Sequence, residues 1–131
     1  MADLTVSNVA LAFSEGNETY DILPAEKFTL GETAYINANG KATKSSAAAP
    51  ATAKFRGMAV AKQGGGLTYL KKGSVTGFDL SGLAYDAPVY LSDTPGKLAD
   101  APGTVSVLVG RVMPLSDFRV TKVLYIIGDA G

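Results

Sequence analysis

The 131-residue sequence predicts an all-β fold, a compact β-sandwich or barrel of short strands. Three observations carry that expectation. Apolar residues recur at period two in "VALAF" at 9–13, the spacing of a half-buried strand, and "TVSVLVGRVM" at 104–113 is a long β-branched run with apolar residues on both faces. Turn signatures at Asn39-Gly40 and at Thr94-Pro95-Gly96-Lys97 separate the runs. No apolar stripe of helical spacing extends beyond two turns. About eight to ten strands and at most one short helix are expected.

Taken in order, residues 1–13 combine Leu4, Val6, Val9, Leu11 and Phe13 with few charges, and the turn-like "SEGNE" follows at 14–18. Such a segment reads equally as the first strand of its own sheet or as an arm that adds to a neighbour's sheet edge. The chain therefore divides into an N-terminal arm or first strand, 1–21, and a single β domain, 22–131. "TAYIN" at 33–37 and "GKAT" at 40–43 flank Asn39-Gly40, a hairpin whose two turn residues are expected at positive φ. The Ala-rich "SSAAAPATA" at 45–53, with Pro50, suits a surface connection. "FRGMAVA" at 55–61 and "LTYLKKG" at 67–73 form a second hairpin through "KQGGG". "PVYL" at 88–91 and "GKL" at 96–98 bracket a type II turn, with Pro95 presetting φ and Gly96 at the left-handed corner. The last run, "RVTKVLYII" at 119–127, is apolar on both faces. Val123, Tyr125 and Ile127 share one face, and a strand apolar on both sides expects a second cover. Those three residues are the candidates for an oligomer interface.

Cysteine, histidine and tryptophan are all absent. That removes disulfides, thiolate or imidazole metal sites and histidine-based acid–base chemistry. A carboxylate glycosidase would need two acids facing across a cleft, whereas Asp79, Asp86, Asp93 and Asp100 lie in turn-rich sequence as solvated loop acids. "GGG" at 64–66 lacks the Lys-Ser/Thr pair of a phosphate loop. Neither enzymatic activity nor a cofactor is expected. The start, "MADLTVSNVA", has no cationic flank, and the run "VLYII" is too short to span a bilayer. A soluble protein made in a cytoplasm, with no membrane partner, is expected.

Charge is segregated although the net is zero. Residues 1–32 carry six acids against Lys27, and residues 33–72 carry seven bases with no acid. With pI near 6.2 and bases that mostly flank turns, nucleic acid is not expected as a partner. Complementarity between copies, or with an acidic protein surface, is the alternative use of such a block.

An internal echo accompanies the strands. Tyr35 and Tyr90 are 55 residues apart, Gly40 and Gly96 are 56 apart, and Gly57 and Gly110 are 53 apart. Two similar strand-turn-strand units are expected, each supplying a wall of one shared core.

The order "LGETAYINANGKATKSS…FRGMAVAKQGGG…VTGFDLSGLAYDAPVYLSDTPGKLAD…VLVGRVM" resembles small bacteriophage capsid decoration, or cement, proteins over about residues 22 to 127. The resemblance implies a β-rich structural virion protein on the outer capsid surface, commonly a homotrimer at local threefold positions, with the major capsid protein as partner. It implies stabilisation of the head by clamping neighbouring shell subunits. Leu4, Val6, Val9 and Leu11 of the opening segment are the capsid-contact candidates. The other expectation is a head-fibre or adhesion module that reads host-surface glycans through tyrosines such as Tyr85 and Tyr90.

Overall fold

The computed structural model describes residues 3–12, 16–63, 66–115 and 121–131. Phe13, the first two residues of the "SEGNE" turn, two glycines of the "KQGGG" loop and the first two residues of the last predicted run lie outside the described residues. The described residues form ten strands and no helix: β1 (Val6–Leu11), β2 (Glu18–Ile22), β3 (Thr33–Ile36), β4 (Ala42–Lys44), β5 (Gly57–Gln63), β6 (Gly66–Phe78), β7 (Pro88–Leu91), β8 (Leu98–Ala99), β9 (Leu108–Leu115) and β10 (Thr121–Ile126). They pair antiparallel in the order β4-β3-β5-β6-β10-β9-β7-β8 and curl into a half-barrel. The all-β expectation holds.

The 13-residue β6 is the spine. Its first half pairs with β5 and β2, through Met58↔Leu70 and Tyr20↔Tyr69 among others. From Gly73 onward it pairs with β10 and β1, through Leu124↔Val75 and Leu11↔Val75. One strand therefore serves four neighbours.

The echo is a duplication of pairing register. Ala34 of β3 lies opposite Gly57 of β5, and Val89 of β7 lies opposite Gly110 of β9. Ala59↔Tyr69 is matched by Val112↔Leu124, and Ile36↔Ala42 by Leu91↔Leu98. The step from an offset of 55 to 56 falls in the hairpin turns. Asn37 accepts from the Asn39 N–H at 2.9 Å through its side-chain oxygen, and the Ser92 hydroxyl accepts from the Thr94 N–H at 3.0 Å. The second loop then needs one more residue before its left-handed glycine, Gly96 at φ 78° against Gly40 at φ 77°. Asn39 itself does not take positive φ, contrary to expectation. The Gly40 N–H donates to the Asn37 carbonyl at 3.0 Å, so Ala38 and Asn39 are the turn residues and glycine closes the loop behind them.

The two units differ in volume at matched positions. Ala34, Ala42 and Ala59 stand where the second unit has Val89, Leu98 and Val112. The three alanines line a minor core with Phe28, Leu67 and Tyr69, whose rings meet edge-to-face at 5.6 Å and occupy that space. The larger residues of the second unit join Phe55, Met58, Leu70, Val75 and Leu124 in a major core drawn from both units.

Tyr69 is fully buried, and among the described residues its hydroxyl has no hydrogen-bond partner. Burial, followed by the Glu26 carboxylate, pushes its pKa up to about 12. The folded state thus holds the proton more tightly than the unfolded chain, whose tyrosine titrates near 10, so stability falls as pH rises from about 10 to 12. Tyr69→Phe should remove that alkaline loss and raise neutral-pH stability by about 1 kcal/mol, read from urea melts at pH 7 and 11.

Two segments are more integral than their sequences suggested. The opening residues belong to the domain's own sheet: Leu4 N–H donates to the Leu98 carbonyl at 2.8 Å, Asp79 N–H to the Thr5 carbonyl at 2.9 Å, and the Ser92 hydroxyl to Asp3. The division near residue 21 also falls inside β2, which pairs with β6 as β1 does. The 45–53 connection is not merely superficial. Ser45 and Ala47 are buried, and Gly96 N–H→Ser45 O at 2.7 Å and Ala47 N–H→Ser92 O at 2.9 Å fasten the first unit to the second. Polar backbone that leaves the sheet here is paired across the units instead of with water. At the other end, the Arg56 guanidinium donates to the Ala130 carbonyl at 2.8 Å and to that of Phe55 at 2.9 Å.

Candidate functional site

The minor core is incompletely covered. Tyr20 and Ile22 lie opposite Tyr69 and Leu67, so they continue the face on which the minor core is built. Ile36 continues it from β3, two residues beyond the fully buried Ala34. Yet Tyr20 is 61% exposed, Leu23 60% and Ile36 41%, three of the most exposed large apolar side chains among the described residues. They line a groove of about 390 Å³ between β2 and the β3–β4 hairpin, with Ile22 between them.

Lys41, Arg56 and Lys71 rim the groove, and all three come from the basic block at 33–72. Asp21 is the acid among the lining residues, and its carboxylate accepts a hydrogen bond from the Thr68 hydroxyl at 2.7 Å. Lys71 sits with its ammonium 5.2 Å from the centroid of the Tyr20 ring and 3.6 Å from Asp129, steering the exposed phenol over the groove. The result is an apolar floor under a cationic rim. Such a surface can bind protein by burying aliphatic and aromatic area while attracting negative charge.

The matched position in the second unit behaves differently. Leu91, the counterpart of Ile36, is fully buried in the major core. Among the described residues, the position that opens the groove in the first unit is thus sealed in the second.

The residues singled out in the sequence are dispersed. Leu4 and Val9 pack as partly buried side chains against the major core. Val6 and Val9 crowd Gly31, where an added Cβ would stand 2.7 and 2.9 Å from them. Leu11 lies opposite the buried Val75 at the end of β1 and is 39% exposed, while Asn8 at φ 45° and the register shift between Val6 and Ala10 interrupt the pairing earlier in the strand. Of the interface candidates, Val123 is only 1% exposed and offers no surface to a second copy, a correction to its assignment; its own chain supplies the second cover. Tyr125 is half-buried, whereas Ile127 is 40% exposed.

The aspartates spaced seven apart act locally. Asp79 accepts from the Ser81 hydroxyl at 2.6 Å and from its N–H at 3.1 Å, which hold its carboxyl below the ordinary range. Asp93 is lowered likewise by the Thr104 N–H and hydroxyl. Asp86, at φ 66°, lies 4.0 Å from Arg111.

The groove residues were missed in the sequence. The available signal was "TYDI" at 19–22, whose Tyr-x-Ile alternation marks a strand with one apolar face. Compared with protein-family models, curated proteins and solved structures, the chain matches none of them.

Proposed function

We propose that this protein decorates a phage capsid, binding the outside of the assembled head and stabilising it by clamping neighbouring shell subunits. The observation that carries the reading is a doubly built, cross-fastened β body that presents an apolar, cation-rimmed groove. A clamp needs a stiff body and an adhesive surface, and no reacting group. The order of strands and turns over residues 22 to 127 supports the same reading by its likeness to decoration proteins. The major capsid protein is the partner, the outer face of the virion is the location, and self-association as a trimer would use the surface around Tyr125 and Ile127.

Mixing purified protein with empty heads tests the proposal. Binding should saturate at a fixed number of copies per head and raise the temperature at which heads disrupt, because a ligand of the assembled state stabilises it. Binding that never saturates, or a specific signal on a glycan array with none on heads, would overturn it in favour of an adhesion module. Light scattering on the free protein and copy number on decorated heads report the oligomer.

A further inference from the structure

We infer that the groove between β2 and the β3–β4 hairpin takes an extended, acidic and apolar segment of a partner protein, laid along the open edge of β2. Three independent features of the structure point there.

The first is the asymmetry between the units. Matched residues Ile36 and Leu91 differ from 41% to 0% exposure, so a position that one unit seals with its own core is left uncovered in the other. The second is backbone. Among the described residues β2 pairs with β6 and with no other strand, so its second edge is open to pairing. The two walls converge only beyond it, where Ala42 N–H donates to the Leu23 carbonyl at 2.9 Å and Ala25 N–H to the Ala42 carbonyl at 2.8 Å. A strand added to β2 would lie in the widening gap, its alternate side chains reaching Tyr20, Leu23 and Ile36. The third is charge. Lys41, Arg56 and Lys71 line the groove with Asp21, which Thr68 already engages, and with Asp129 paired to Lys71 at 3.6 Å the groove still keeps an excess of positive charge. A basic segment would be repelled, and an acidic one would place its carboxylates among the three cations.

The volume, about 390 Å³, is that of a small ligand pocket. A lone small molecule would leave the β2 edge unpaired, whereas a peptide satisfies floor, edge and rim together. This assignment does not depend on the capsid reading, and the test separates the two.

The probe is a capped heptapeptide alternating valine and glutamate, with a valine–lysine heptapeptide as its counterpart, titrated into the isotopically labelled full chain. The glutamate peptide should shift the backbone amides of residues 19–23 and 36–41 in a saturable manner. Its affinity should fall about tenfold in Lys41→Glu/Lys71→Glu and on raising salt from about 50 to 500 mM. Ile36→Asp should abolish binding while keeping a dispersed native spectrum, since Ile36 is already at the surface. Lys62→Glu, a basic position outside the groove, should bind as the parent does. Equal binding of the lysine peptide, or shifts elsewhere than the groove, would overturn the inference, as would none at millimolar peptide. The same amides shifting with protein concentration alone would assign the groove to a second copy and overturn the partner assignment. If peptide binds and heads do not, the capsid reading falls alone. If heads bind the parent and Ile36→Asp equally and the peptide fails, this inference falls alone.

Discussion

Gly110→Ala should cost about 3 kcal/mol of stability and Gly57→Ala about 2 kcal/mol, measured as shifts in urea midpoint at constant slope. The two glycines hold matched places in the two units, and each lets a neighbouring strand approach more closely than a side chain permits. A Cβ at position 110 would collide with the Tyr125 carbonyl oxygen, which belongs to the β9–β10 ladder and cannot retreat without opening it. At position 57 the obstacle is the Tyr69 Cβ at 2.8 Å, which can give slightly. Hence the order of the two costs. A neutral Gly57→Ala would mean that the matched pairing is not matched packing.

Deletion of residues 2–8 should lower the melting temperature by about 10–15 °C. The deletion removes Leu4 from the rim of the major core and Val6 from its seat against Gly31. It also strips the hydrogen bonds that Leu98, Asp79 and Ser92 make with this segment. Partial burial of two aliphatic side chains and loss of the pairing sum to about 4 kcal/mol, and for a domain of this size each kcal/mol moves the midpoint by about 3 °C. Thermal melts of the deleted and full chains, followed by circular dichroism, decide it. An unchanged midpoint would return the segment to the role of a free arm. Leu11→Ala, at the exposed end of the same strand, should change stability by less than about 0.5 kcal/mol.

The fold was legible where local chemistry is decisive. Glycine at a left-handed turn corner, proline before it and β-branched runs between are read directly from residues, and the repeated tyrosines and glycines located two units whose registers then coincide. Legibility failed where the outcome depends on who covers a face. Period-two alternation says that a strand has an apolar side, and it cannot say whether that side meets its own chain or another. The pattern assigns Val123 to a second copy, yet its own chain buries it; the pattern leaves residues 1–13 open between arm and first strand, and β1 pairs within the domain's own sheet. Alternation also says nothing of bulges or strand ends: the pairing of β1 shifts between Val6 and Ala10, where Asn8 takes φ 45°, and Leu11 at its end is left 39% exposed. The groove lay beyond reach for a related reason. Tyr20 and Ile36 are distant in sequence, and only the shared spine of β6, with β5 and β3 beside it, brings their strands to one surface.

That spine also sets a timetable for synthesis. β1 and β2 leave the ribosome early, yet the strand with which both pair begins at residue 66. At translation speeds of about 5–20 residues per second, β1 waits on the order of several seconds for its partner. The first half of β6 can close on β2 and β5 as soon as it is made, but its second half cannot be completed until β10, which begins at residue 121, closes on it. The nascent chain therefore presents unpaired strands throughout synthesis, and a truncated product that stops before residue 121 would carry an open β6 edge and a tendency to pair with its neighbours on the polysome.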